Sequence, residues 1–471
     1  MGAAMIQLTV AQLAQAVGGR AVGVDPQQLV TSGVVTDSRL AEPGSVFVAV
    51  RGERTDGHDH AAAALAAGAV VVVAERPVEG PHVLVTDSVV ALGELAREVL
   101  RRLRAEGSLE VVGLTGSVGK TTTKDVLAQV LAHAGPTVAP RESFNNEIGL
   151  PLTVLSATRE TRYLVLEMGA SGPGHIDYLT RIAPLDVAVV LVVGHAHMGG
   201  FGTIDAVAHA KAEIVAGLRD GGTAVLNADD PRVRAMAAAA PGRVILFGRG
   251  EDADVRATDV TLDEQARPSF VLHTDSSGAR SRHEVSLALH GEHQVSNALA
   301  VAGAALALGL DAGAVARGLS RADRVSAHRM AVTHRPDGVV VLDDAYNANP
   351  DSMAAALRAA VAMPAQRRVA VLGRMLELGE ESERAHEDVG RLAAALGIDV
   401  LVAPGVTGEQ VRRGAGTGVE VHTPADVGAA AELLDGLLRA GDLVLLKGSN
   451  GSGVWRLAER LVGEPGGGAQ W

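Results

Sequence analysis

The sequence predicts an α/β protein of three domains, and three observations carry that reading. Short β-branched runs alternate with helical stretches along most of the chain: "SVFVAV", "AVVVVA", "LEVVGLTG", "YLVLEMG", "DVAVVLVV", "TAVLNADD", then "GVVVLDD", "RRVAVLG", "DVLVAPG" and "DLVLLKGS". Such alternation builds parallel sheets covered by helices on both faces. The 471 residues are too many for one domain, at roughly 100–200 residues each. The rhythm also restarts twice, at a buried strand running into a glycine turn after Ser108 and again near Arg321. Domains are therefore expected over 1–108, 109–320 and 321–471. The last reads as a smaller doubly wound, Rossmann-like unit.

Composition narrows the function classes. Apolar residues make up 47% and aromatics 2%, so Val, Leu and Ala must fill the cores. The formal net charge is −13, which argues against broad nucleic-acid binding, since phosphate backbones demand clustered Lys and Arg. With no cysteine, disulfides, thiolate chemistry and Cys-ligated zinc are excluded. "MGAAMIQLTVAQLAQAV" lacks the basic segment and continuous apolar core of a signal peptide. The longest apolar run, Ala61 to Ala74, falls short of the roughly 20 residues a membrane span needs. A cytoplasmic protein without a membrane span is expected. The tail "GEPGGGAQW" reads as disordered.

The most informative stretch is "EVVGLTGSVGKTTTKDVL", Glu110 to Leu127. It departs from the general phosphate-loop spelling, which would need a glycine where Leu114 stands. Its context is nonetheless that of a phosphate loop. Val111 and Val112 predict a strand. "TTTKDVLAQVLAHAG" predicts a helix with apolar positions at Val126, Leu127, Val130 and Leu131, ended by Gly135-Pro136. The loop thus precedes a helix N-terminus, where unpaired N–H groups and the helix dipole favour an anion. Gly116 and Gly119 let the backbone wrap closely around phosphate oxygens. Lys120 would neutralise β/γ-phosphates and Thr121 would offer a hydroxyl to Mg²⁺. The plain alternative is an ordinary strand–turn–helix with a solvated lysine; the strand before and the helix after favour nucleotide.

The spelling "GLTGSVGKTTT" resembles the loop Thr-Gly-Ser/Thr-x-Gly-Lys-Thr of the Mur ligase family, whose members form amide bonds at the expense of ATP. The resemblance implies that Thr115, Gly116, Ser117, Val118, Gly119, Lys120, Thr121 and Thr122 hold ATP. It extends in order over nearly the whole chain. "RESFNNEIGLPLTVL" reads physically as a polar loop ending at a proline. It is similar to the segment of the branch that joins D-alanyl-D-alanine to UDP-N-acetylmuramoyl-tripeptide, which places Asn145 and Asn146 near the nucleotide-sugar substrate. "VTDSRLAEPGSVFVAVRGERTDGHDH" resembles the family's N-terminal UDP-binding domain. There Ser38 and Arg39 would meet the pyrophosphate, with Gly52 in the loop that follows.

Further segments extend the comparison. "YLVLEMGAS" ends a strand at Glu167, an acidic residue at the sheet edge where ligands sit and a plausible Mg²⁺ ligand. "GHAHMGGFG" resembles the family's Ala-His-x-x-x-Phe-Gly segment, which makes His197 the histidine of a second metal; His195 has no assigned counterpart. By resemblance Lys211 is the lysine carbamylated by CO₂ that then helps hold Mg²⁺. This chemistry requires it to lie near the metal and be partly deprotonated. "GEHQVSNALAVAGAALALGL" begins a long apolar helix at His293, where Asn297 would read adenine.

In the third block, Asn349 as N-cap and Pro350 in the first turn make a clean helix start after "LDDAYNANP". Capping does not account for Asp343, Asp344, Tyr346 and Asn347 together. The resemblance puts Arg329 on the γ-phosphate, Asp344 and Asn347 beside ATP, Tyr346 and Asn349 near the incoming dipeptide, and Lys447 of "LLKGSNGSG" near substrate. Lys120, Lys211, His197 and Arg329 are thereby the implied catalytic residues. Implied cofactors are ATP, two Mg²⁺ ions and carbamylated Lys211; implied partners are the tripeptide nucleotide and the dipeptide, with no nucleic acid and a monomeric chain. A single-amino-acid ligase of the family would lack the "YNANP" and "FNNEIG" spellings. An ATP-binding switch without ligation is the reading from another class. Two departures stand out: Gly199 where glutamate is usual, and Arg374 where aspartate is usual.

Overall fold

A computed structural model describes residues 6–52, 55–140, 143–194, 201–276 and 279–463. Its three larger sheets follow the three blocks, and a two-stranded antiparallel pair, Leu8–Thr9 with Leu29–Val30, accompanies the first. The first has five strands in the order Arg20–Val22, His82–Leu84, Val71–Ala74, Val46–Val48, Val34–Val35. All neighbours in it are parallel except the first pair. The "SVFVAV" and "AVVVVA" runs supply its middle. The alanine-rich stretch between them is the helix Ala61–Ala66.

The central sheet has nine strands. Glu110–Thr115 lies inside it, between Tyr163–Glu167 and Leu185–Val190, and Leu218–Asn227 and Arg243–Gly248 continue the parallel order. Beyond them the pattern changes. Val255–Leu262, Pro268–Ser276 and Ala279–Ser286 form an antiparallel extension, where a parallel sheet was expected throughout. The connections there are turns, and a parallel return needs a crossover of about a dozen residues or more. The third sheet has six strands, Ala331–His334, Val340–Asp344, Asp442–Lys447, Arg367–Leu372, Val400–Val402 and Glu420–His422, parallel except for its first pair.

Burial explains the layering. One apolar cluster joins Val46, Val71 and Leu92 of the first block to Val111, Leu164 and Ile214 on one face of the central sheet. The helix Ser88–Glu106 buries Leu92, Leu95, Val99 and Leu103 in it. A second cluster covers the opposite face, with Val126, Leu127, Val130 and Leu131 as anticipated. The third sheet has its own clusters on both faces. The first two sheets therefore share a core, whereas the third keeps separate clusters that take in Ala266 from the turn after Val255–Leu262. Among the described residues no helix is long and apolar enough to cross a membrane. The glycine-rich tail from residue 464 onward lies outside the described residues.

Candidate active site

The C-terminal edge of the central sheet faces the C-terminal edge of the third, and a cavity of about 360 Å³ lies between them. In open α/β sheets this edge is where ligands collect. Its floor is the loop between Thr115 and the helix Lys120–Ala132. Gly119 is the helix N-cap, with φ +84° and no side-chain cap. The first N–H groups of the helix are thus left for a ligand, as an anion site requires. A Cβ on Gly119 would come within 2.5 Å of Asn297 Oδ1, so the residue answers both to its backbone angle and to its closeness to the helix Gln294–Ala307.

Lys120 curls back over the loop, and its Nζ donates to Gly116 O at 2.8 Å. Burial pushes its pKa down, Glu167 and Glu377 oppose that, and Arg329 adds to it. Thr121 Oγ1 donates to Glu167 Oε2 at 3.0 Å and lies 2.7 Å from Ser143 Oγ. Asn145 Nδ2 donates to the other Glu167 oxygen at 2.8 Å. Glu167 is buried. A hydroxyl beside a buried carboxylate at the foot of a phosphate loop is a hard oxygen donor set, and it suits Mg²⁺.

The third sheet supplies the opposite wall. Arg329 Nη2 donates to Thr121 Oγ1 at 3.1 Å, and its guanidinium lies 4.1 Å above the Tyr346 ring. Lys447 Nζ donates to Asp344 Oδ2 at 2.6 Å and to Asn347 O at 2.9 Å. Burial lowers the Lys447 pKa and Asp344 raises it. Asn349 caps the helix Pro350–Ala362 through Ser352 N and also donates to Ser117 O at 3.2 Å. One side chain thus serves both as cap and as a bridge between the sheets.

Most of the expected residues meet here. Ser117, Val118, Gly119, Lys120, Thr121, Thr122, Asn145, Glu167, Asn297, Arg329, Asp344, Tyr346, Asn347, Asn349 and Lys447 all line the cavity. Thr115 and Gly116 lie behind it. Thr115 Oγ1 is buried without a partner among the described residues. Asn146 is separated from Asn145: its Oδ1 accepts from Gly149 N at 2.9 Å. The helix Gly149–Leu155 carries Pro151 in its first turn, so that proline does not end the loop. Ser38 and Arg39 sit in a turn of the first block, away from the cavity lining, with exposed Arg39 forked onto Asp37.

Lys211 is buried in the helix Ile204–Ala216, off the lining. Burial and the nearby Lys120 ammonium hold its pKa down to about 7, and no carboxylate opposes them among the described residues. His197, His195 and Gly199 lie outside the described residues. Among the described residues, no cluster of three or more His, Asp or Glu side chains forms a metal cage. Arg374 is exposed and outside the cavity lining, and Ser449 N donates to its backbone carbonyl at 3.1 Å.

Sequence reasoning missed several participants. Ser143 touches Thr121, Gln294 Oε1 accepts from Asn297 Nδ2 at 2.8 Å, and Asn227 Nδ2 donates to Leu191 O at 2.7 Å. The strand end "TAVLNADD" pointed to the right edge for Asn227. Nothing in the spelling singled out Ser143 or Gln294. Lys124 was missed as well. It is fully buried, donates to Pro140 O at 2.7 Å and pairs with Asp125 at 2.5 Å.

Comparison with known proteins follows the same division. Residues 114–305 match the Mur ligase middle domain, residues 328–450 the Mur ligase glutamate ligase domain, and residues 30–106 the Mur ligase family catalytic domain. The chain is 45% identical to the UDP-N-acetylmuramoyl-tripeptide–D-alanyl-D-alanine ligase of Mycobacterium tuberculosis strain H37Rv, over 98% of each chain. It is 36% identical to the Escherichia coli K12 protein of that name, over 88% of this chain and 89% of that one. A crystal structure of MurF from Acinetobacter baumannii superposes with a TM-score of 0.88 at 34% identity, covering 98% of this chain and 100% of that one. MurF ligase from Thermotoga maritima, solved in complex with ADP, gives 0.79 at 32% identity, covering 92% and 97%. The chain belongs to the Mur ligase family, in its UDP-N-acetylmuramoyl-tripeptide–D-alanyl-D-alanine ligase branch.

Proposed function

We propose that the protein joins D-alanyl-D-alanine to UDP-N-acetylmuramoyl-tripeptide, using ATP and releasing ADP and phosphate. The product is the pentapeptide precursor of peptidoglycan. The observation that carries this reading is the Lys120–Thr121–Glu167 group facing Arg329 and the Lys447–Asp344 pair across one cavity. Full-length relatives of the same name and the ADP-bound relative support it.

A carboxylate is a poor electrophile, and joining it to an amine in water is uphill. The route we infer is an acyl phosphate. A carboxylate oxygen of the tripeptide attacks the γ-phosphorus of ATP, and the bond to the β,γ-bridging oxygen breaks to leave ADP. The dipeptide amine then attacks the acyl carbon. The tetrahedral intermediate collapses by expelling phosphate, and the amine loses its proton. Lys120 and Arg329 are positioned to neutralise charge on the transferred phosphoryl group. Asn297 would hold adenine, with Asp344 and Asn347 also beside ATP. Tyr346, Asn349 and Lys447 would face the dipeptide, and Asn145, Asn146, Ser38 and Arg39 would contact the nucleotide sugar.

Thr121 and Glu167 would hold Mg²⁺, with His197 and a carbamylated Lys211 at a second ion. Magnesium would supply charge neutralisation at the phosphates. An amine with its pKa near 7 is neutral often enough to take up CO₂, which supports the carbamate. The working units we propose are 1–108 for the UDP part, 109–320 for ATP and 321–471 for the dipeptide, the third closing over the second when substrates bind.

The test is phosphate release from Mg-ATP with the tripeptide nucleotide, with and without the dipeptide. Release that needs both, with a product heavier by the dipeptide, is expected. Lys120→Ala should lower the rate by about 10²–10³-fold. Release indifferent to the dipeptide would overturn the assignment.

A further inference from the structure

The segment joining the central and third sheets lies along the phosphate-loop helix in an ordered way. Thr121, Asp125 and Gln129 stand four residues apart on the helix Lys120–Ala132, and this spacing places them on one face. Each meets one linker residue. Arg329 Nη2 donates to Thr121 Oγ1 at 3.1 Å. Ser326 Oγ donates to Asp125 Oδ2 at 2.6 Å. Gln129 closes a two-way pair with the Asp323 backbone: Asp323 N donates to its Oε1 at 3.0 Å, and its Nε2 donates to Asp323 O at 2.8 Å. The linker therefore runs antiparallel to the helix for two turns, about 11 Å.

The ladder is anchored at both sides. Asp125 is buried and paired with fully buried Lys124, so its second oxygen is fixed for Ser326. The upper end is set by backbone geometry. His328 and Met330, the neighbours of Arg329, both adopt left-handed φ, +54° and +50°, a conformation that strains a non-glycine residue. Each is held by the third sheet: Tyr346 N donates to His328 O at 3.2 Å, and Met330 N donates to Asp344 Oδ1 at 3.1 Å. The two bends turn the Arg329 side chain toward Thr121 and the Tyr346 ring.

We infer that Gln129, Asp125 and Ser326 are positioning residues: they seat the linker on the phosphate-loop helix so that Arg329, and the third sheet with it, is carried to the reacting phosphates. None of the three is placed at the phosphates themselves. The lower two rungs hold the register, while the Thr121 rung is the exchangeable one, because its hydroxyl is the group assigned to the metal. The inference rests on the proposed ligase reading for its kinetic arm and on the fold alone for its exchange arm.

The test uses the full chain as wild type, Ser326→Ala, Gln129→Ala and Ser326→Thr. Asp125 is left alone, because removing it strands the Lys124 ammonium. Two quantities are read: hydrogen exchange of the peptide spanning Asp323 to Met330, and steady-state phosphate release with the KM for the tripeptide nucleotide. Each alanine variant should exchange the linker about ten-fold faster and lower kcat by a similar factor, with that KM unchanged. Ser326→Thr keeps the hydroxyl and should restore both. Linker exchange unchanged in both alanine variants would overturn the inference, as would faster exchange with unchanged kcat. A wild type that does not ligate would sink the proposed function, and the exchange result would still decide whether the ladder holds the linker.

Discussion

Lys211 departs far from the ordinary behaviour of a lysine. A helical lysine is normally solvated and charged, yet this one is 3% exposed, with its pKa held down to about 7 by burial and by Lys120. A neutral amine is the form that attacks CO₂, so ¹³C-bicarbonate should produce a carbamate carbon signal in the wild-type protein. Lys211→Arg should remove it; a spectrum without that signal in the wild type would rule the modification out. The sequence disclosed Lys211 only through its place in a family pattern. Its burial depends on how the helix Ile204–Ala216 meets the sheet, and spacing alone does not report that. Asn146 shows a different limit. It is spelled as a twin of Asn145, but a one-residue step turns its Oδ1 to the Gly149 N–H, whereas Asn145 donates to Glu167. Adjacent polar residues share a sequence position and not a direction.

At the scale of elements, the phosphate loop and its helix were legible because several independent signals agreed: β-branched residues before, glycines at the turn, periodic apolar positions after. Two predictions belong here. Gly119→Ala should keep the fold but weaken ATP binding sharply. The left-handed φ costs about 1–2 kcal/mol, and the new Cβ would press on Asn297. Calorimetric titration with ATP checks this, with unchanged circular dichroism as the control. The second concerns the bend at His328. Its Nδ1 lies 2.7 Å from Asp343 Oδ2, and that bond raises its pKa, with burial opposing, Asp343 and Glu459 adding attraction and Arg324 repulsion. The raised value means the folded state binds this proton more tightly than the unfolded one. The pair's contribution is complete below about pH 6.5 and declines as pH rises through the higher folded value. Urea unfolding between pH 6 and 9 should show a loss of stability that His328→Asn lacks; identical profiles would contradict it. The antiparallel strands from Val255 to Ser286 were not legible, because polar alternating edge strands carry a weaker signal than buried parallel ones.

At the scale of the whole molecule, the three-sheet plan was readable from the alternation of strands and helices. The unequal coupling of the sheets was not. One shared apolar cluster binds the first block to the central sheet, whereas the third meets it through a linker, Arg329 and Asn349 at the cavity, and the single buried Ala266. This arrangement lets groups on two separately packed bodies converge on one phosphoryl transfer. The central claim is that a substrate carboxylate is the acceptor of that phosphoryl group. Label both terminal carboxylate oxygens of the tripeptide with ¹⁸O, run the ligation to completion, and weigh the phosphate released. An acyl phosphate keeps the attacking oxygen on phosphorus when the amine displaces it, so each phosphate should carry a single ¹⁸O and the new amide should keep the other. Phosphate free of label, released in step with product, would mean that the carboxylate is never phosphorylated and that the account is wrong at its centre.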